Sequence, residues 1–204
     1  MMNMPIDLLL ISSIPFLAIA AIVAAGVYKY AKNRDNCAAL SRLAGPMHAS
    51  FSGGFFKYPA LSGHHSGLPF TIELHPPITR YHRRKDHLSV TLNRSLPFEM
   101  QVCEEEVDAW FGERYTDFEE WDEGLKASSP GLLDGLLVKG DGQCASYLQD
   151  PANVKRIREV IDAGFPAIRM SREGINAARP RYDLEADLVP EKLSALMDKL
   201  AALP

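Results

Sequence analysis

The chain has 204 residues, 47% of them hydrophobic and 24% charged, with a formal net charge of −4. Those proportions belong to a folded chain and exclude a disordered or low-complexity one, while the mild negative charge argues against a nucleic-acid partner. The three cysteines, Cys37, Cys103 and Cys144, are an odd number without a C-x-x-C pair, so neither a disulfide framework nor a structural zinc site is expected and a reducing compartment fits.

After a short tail at 1–7, the stretch Leu8 to Tyr28 holds no Asp, Glu, Lys, Arg or His. It is long enough for a transmembrane helix, which needs about 20 apolar residues. A cleaved signal peptide would have a positive n-region and an apolar core of about 7–15 residues; here Asp7 precedes the core and no Lys or Arg does. Lys29, Lys32 and Arg34 follow at once. Because basic flanks stay in the cytoplasm, the expectation is a single-pass bacterial inner-membrane protein, N-terminus outside and the rest cytoplasmic. Pro15 predicts a kink that Ser12 and Ser13 help to satisfy. Ala18, Ala21 and Ala25 form a stripe of small side chains, the kind that lets membrane helices approach one another. Other transmembrane proteins are therefore the expected partners.

Residues 29–46 read as a juxtamembrane helical stem, with Ala38, Ala39, Leu40 and Leu43 on its apolar side and Gly45-Pro46 ending it. Residues 47–204 read as a soluble α+β domain. Strands are predicted at His48–Phe51, Phe55–Ala60, Pro69–His75, His87–Asn93 and Phe98–Val102. Phe70, Ile72 and Leu74 alternate with polar residues, as do Leu88, Val90 and Leu92, which means a sheet with one buried face. Ser52-Gly53-Gly54, Ser62-Gly63, Ser66-Gly67 and His75-Pro76-Pro77 supply turn chemistry, and consecutive short strands point to an antiparallel meander. A strand at Leu132–Lys139 comes next, then a helix over Cys144–Gly164 with Gly164 as its C-cap. A hairpin follows around Arg172-Glu173-Gly174. Pro190 opens a last helix with Leu193, Leu196, Met197, Leu200 and Leu203 on one face.

Tyr58-Pro59-Ala60-Leu61-Ser62-Gly63 followed by Gly67, the strand Gly135–Gly140 running into Asp141, and Ile168-Arg169-Met170 with its turn and second strand together carry a resemblance. On these residues the chain resembles bacterial single-pass membrane proteins with a cytoplasmic α+β domain of unknown function. The resemblance implies an architecture and no activity.

Three features are candidates for function. Arg80, Arg83, Arg84 and Lys85 make a basic loop between two strands, suited to anionic headgroups or an acidic partner; each such residue near a membrane contributes about 1 kcal/mol. Residues 104–123 hold ten acids against one base, Arg114, and five aromatics; most of these are expected to pack on the sheet, with Trp110, Phe111 and Trp121 the candidates for partner anchors. The six histidines all lie between His48 and His87. Among them His82 and His87 alone have a ligand-like H-x₄-H spacing, and Arg83, Arg84 and Lys85 between them would repel a cation, so no metal site is assigned. No nucleophile elbow, Walker loop or dinucleotide fingerprint is present, so neither a catalytic residue nor a cofactor is assigned. The reading that follows is a non-catalytic, membrane-anchored accessory or scaffold subunit. Its rivals are a membrane-tethered, hydrolase-like enzyme and a module that senses anionic lipid or another ligand.

Overall fold

The computed structural model describes residues 27, 31, 33–54, 57–75, 86–104, 135–140 and 143–203. Among them, no helix is long and apolar enough to cross a membrane. The segment 8–28 expected to do so lies outside the described residues, apart from Val27.

The fold is α+β, built on one antiparallel sheet of eight strands in the order β1-β2-β3-β4-β8-β7-β5-β6. The strands are β1 (Ser50–Ser52), β2 (Ala60–His65), β3 (Leu68–His75), β4 (His87–Leu92), β5 (Met100–Glu104), β6 (Leu136–Gly140), β7 (Ala167–Ser171) and β8 (Gly174–Pro180). β1 to β4 form the expected meander, but β4 then pairs with β8 and β5 with β7. The β7–β8 hairpin is thereby inserted between β4 and β5. A meander throughout was the wrong extrapolation, because local alternation says which residues are strands and not which strands pair.

Register explains why the alternating residues matter. Ile72, Val90, Ala177, Ile168 and Val102 are successive direct partners across five strands, and opposed residues share a face. Phe70, Leu92, Ile175, Met170 and Met100 make the parallel row beside them. Both rows are buried against the helices: α1 (residues 33–43), α2 (Cys144–Leu148), α3 (Pro151–Asp162) and α4 (Pro190–Ala202). Leu40 and Leu43 of α1, Val154 and Ile157 of α3, and Leu193, Leu196, Met197 and Leu200 of α4 join one cluster with those rows.

Three features differ from expectation. The strand expected over Phe55–Ala60 lies instead at Ala60–His65, sharing only Ala60, and Ser62-Gly63 and His64-His65 lie within it; the chain turns at Ser66-Gly67. Gly63 signals a close approach, not a turn: a Cβ there would lie 2.9 Å from the Phe70 ring. The helix expected over Cys144–Gly164 is two helices. Pro151 starts the second at its first position, and the Asp150 carboxylate accepts from the Ala152 N–H at 2.9 Å, an N-cap that resets the chain direction. Finally, the face opposite the helices is not simply solvated. Gln101, Ser89, Cys103, Ala167 and Ala178 are buried there, where alternation alone predicts a polar, wetted surface.

Candidate functional site

The N-terminal end of α1 is fastened to one end of the sheet. Asn36 sits on the helix face that also carries Leu40 and Leu43, and it is 1% exposed. Its Nδ2 donates to the Tyr182 hydroxyl at 2.8 Å, and Asn33 Nδ2 donates to the Gly54 carbonyl at 2.9 Å. The Arg181 N–H donates to the Asp86 carbonyl at 3.1 Å, next to the start of β4. His75 and His87, direct partners across β3 and β4, stack there with ring centroids 4.5 Å apart. The exposed Tyr58 lies tilted against His75 at 5.6 Å. Val27 and Ala31 are also helical, and Val27 is 62% exposed.

Connectivity makes this end distinctive. β3 finishes and β4 begins here, so the chain 76–85 leaves and re-enters at this end. Glu104 pairs with Leu136, and its N–H donates to the Pro166 carbonyl, so the chain 105–134 leaves and returns at the same end. The basic loop and the acidic-aromatic stretch are therefore rooted at the same end of the sheet as the N-terminal end of α1, the latter stretch on the far strands β5 and β6.

Burial pushes the Tyr182 phenol up to about 12, with the Asn36 hydrogen bond opposing and Asp86 reinforcing the shift. The folded state thus holds this proton more tightly than an unfolded chain, whose tyrosines titrate near about 10. The stability it contributes is fully present below about pH 10 and is lost as pH rises through about 12. We expect an alkaline unfolding limb in that window that shrinks in Tyr182→Phe; an unchanged limb by circular dichroism would contradict this assignment.

The outer side of α1 faces the segment after β8. That segment is locked by its own hydrogen bonds. The Asp183 carboxylate accepts from the Ala186 and Glu185 N–H groups, both at 2.8 Å, which holds its pKa below the usual carboxylate range. Asp187 accepts from the Asp183 N–H at 2.7 Å and lies 3.2 Å from Arg179 Nε. Between helix and segment runs a groove of about 480 Å³. Asp35, Ala38, Ala39 and Arg42 line one wall; Leu184, Glu185 and Leu188 line the other. Ala38, expected on the apolar inner side of the stem, is exposed on this wall instead. The inner side is made by Asn36, Leu40, Leu43 and Met47, with Ala39 half-buried against the same core.

The residues proposed from sequence for helix packing, Ala18, Ala21 and Ala25, the basic Arg80, Arg83, Arg84 and Lys85, and the aromatic Trp110, Phe111 and Trp121 all lie outside the described residues. Sequence reading missed the groove, whose second wall lies at 184–188. All three cysteines are thiols, Cys103 and Cys144 buried and Cys37 half-buried, and burial raises the Cys37 thiol pKa against an opposing backbone hydrogen bond at Gly54. Among the described residues, no group of three or more His, Cys, Asp or Glu side chains could hold a metal ion.

No family model and no curated protein matches the chain in sequence. In structure it is similar to the mycobacterial trehalose monomycolate transport factor A, TtfA, over 84% of this chain and 97% of that one, with a TM-score of 0.55 and 12% identity. At that identity the likeness is one of fold alone.

Proposed function

We propose that the chain is a non-catalytic accessory subunit of a membrane complex, anchored by a single helix at 8–28 with its N-terminus outside and its α+β domain in the cytoplasm. The observation that carries this reading is the seating of α1. The helix that follows the apolar segment is built into the domain core through Asn36, Leu40 and Leu43, so an anchor there would hold the domain in a set orientation rather than on a loose tether. The structural likeness to a protein named as a transport factor supports a membrane-associated role of this kind. In this reading Ala18, Ala21 and Ala25 pack on a neighbouring transmembrane helix. Arg80, Arg83, Arg84 and Lys85 meet anionic headgroups or an acidic partner, and Trp110, Phe111 and Trp121 anchor a partner. The rooting of both segments at the sheet end that also holds the start of α1 favours their facing the bilayer or whatever lies in it.

The test is isolation of the tagged full chain from native membranes in mild detergent. A stoichiometric membrane protein should co-migrate with the wild-type chain and be lost from the Ala21→Leu/Ala25→Leu variant, since two added side chains hold the helices apart. A complex of unchanged size in the variant would sink the alanine face, and a lone monomer in the wild type would sink the subunit reading. Anionic phospholipid that stays with the chain at low salt and leaves at high salt would support headgroup contact; salt-insensitive retention would count against it.

A further inference from the structure

Among the described residues only two large hydrophobic side chains are exposed, Val27 at 62% and Tyr58 at 41%. Single exposed hydrophobics are ordinary on a protein surface, but these two fall at the same end of the molecule. Val27 is a helical residue six positions before Asn33, about 9 Å along a helix. Tyr58 stands just ahead of β2, where the Pro59 carbonyl accepts from the Leu74 N–H at 3.2 Å. The direction of α1 turns this end outward. At its start Asn33 and Asn36 bond to Gly54 and Tyr182. The turn behind α1 instead brings Ala49 to position 63, where an added Cβ would lie 3.0 Å from its own, three residues further along β2 from Ala60. α1 therefore runs from this end toward the other, and a helix extended backward from it leaves past the end that carries Tyr58.

Tyr58 is held rather than loose. Its ring is tilted against His75 at 5.6 Å, His75 stacks on His87 at 4.5 Å, and His75 Nε2 lies 3.4 Å from Glu73 Oε2. A phenol, apolar in body and polar at its tip, is a side chain favoured where a bilayer meets water. Charge does not select the occupant here, since Arg34 and Asp35 at the start of α1 are both exposed and lie 3.5 Å apart as a pair, worth little in water. Distance agrees with a bilayer: Asn33 is five residues past Tyr28, about 8 Å along a helix, and the headgroup layer on one side is about 5–8 Å deep. We propose that Tyr58, braced by the His75–His87 stack, sits among the phospholipid headgroups of the bilayer that holds the anchor, giving the domain a second point of contact with the membrane. The inference rests on the reading of 8–28 as a membrane helix.

The experiment puts p-azidophenylalanine, which keeps the ring, in place of Tyr58 in the full chain in native membranes. Two further chains carry it in place of Phe16, inside the apolar segment, or of Arg172, exposed at the opposite end of the sheet. After illumination, mass spectrometry of the digested chain identifies what is attached at each position. Phospholipid should be found at positions 16 and 58. At 58 it should exceed that at 172 by at least about tenfold, because the seven residues of β8 separate the two ends by about 20 Å, well beyond a headgroup layer. Phospholipid at 16 with a protein or nothing at 58 overturns the headgroup contact and leaves the anchor reading standing. Equal attachment of phospholipid at 58 and 172 also overturns the contact. If neither 16 nor 58 captures phospholipid, both readings fall.

Discussion

Phe70→Ala should lower the stability of the domain by about 3–5 kcal/mol, the range for removing a buried aromatic ring from a core that cannot collapse around the space. Phe70 is 2% exposed, on β3 at the centre of the helix-covered face, with Leu92 directly across on β4 and Gly63 across on β2. Its ring occupies the volume a side chain at position 63 would take. That contact gives the prediction a second handle. Gly63→Ala alone should cost about 1–3 kcal/mol, because the ring must move in a packed interior, and much of that loss should be recovered in a Phe70→Leu background. Chemical denaturation of the full chain in detergent, run as a double-mutant cycle, reads the coupling directly. Strict additivity of the two changes would mean that the ring does not lie over position 63.

Gly174→Ala should cost about 3 kcal/mol, through two separate causes. Its φ is +149°, in a region essentially reserved for glycine, where a side chain costs about 1–3 kcal/mol. A Cβ would also lie 2.7 Å from the Leu92 carbonyl oxygen, and a backbone atom cannot rotate away as a side chain can. Gly174 opens β8 directly after the Arg172-Glu173 turn, opposite Ser171, so strain there falls on the joint between the two parts of the sheet: the β1–β4 meander and the strands β7, β5 and β6. We expect the variant to show faster hydrogen exchange at Ile175 and Leu92 before global unfolding. A loss below about 0.5 kcal/mol, the scale of an ordinary surface substitution, would refute the assigned backbone conformation.

The two glycines also show where sequence reading succeeded and failed. Gly174 was legible as the end of a hairpin turn, since Arg172-Glu173-Gly174 sits between two apolar runs of strand character. Gly63 was misread as a turn because Ser-Gly is turn chemistry locally, whereas the residue it makes room for, Phe70, is on another strand. The helix over Cys144–Gly164 was periodic enough to be found, but Asp150-Pro151 inside it is a start signal that the periodicity of its neighbours concealed. For the site the division is sharper. The alanine stripe and the charged loops stood out by composition, yet the groove needs Leu184, Glu185 and Leu188 from about 150 residues further along the chain, and no local pattern on the stem points to them.

By itself the sequence determined what depends on near neighbours. It specified the apolar segment and its flanking charges, the alternation of β3 and β4, the hairpin of β7 and β8, the last helix behind Pro190, and the α+β class that these imply. Period and turn chemistry act within a few residues, so they survive without knowledge of the fold. Only the tertiary structure decided that β8 pairs with β4 and β7 with β5, that the polar face is also buried at its centre, and that the basic and acidic segments leave from the sheet end that holds the start of α1. Those features come from strand pairing across separations as great as the 93 residues between the direct partners His87 and Pro180, and pairing is chosen by how whole faces pack together rather than by any stretch of chain alone.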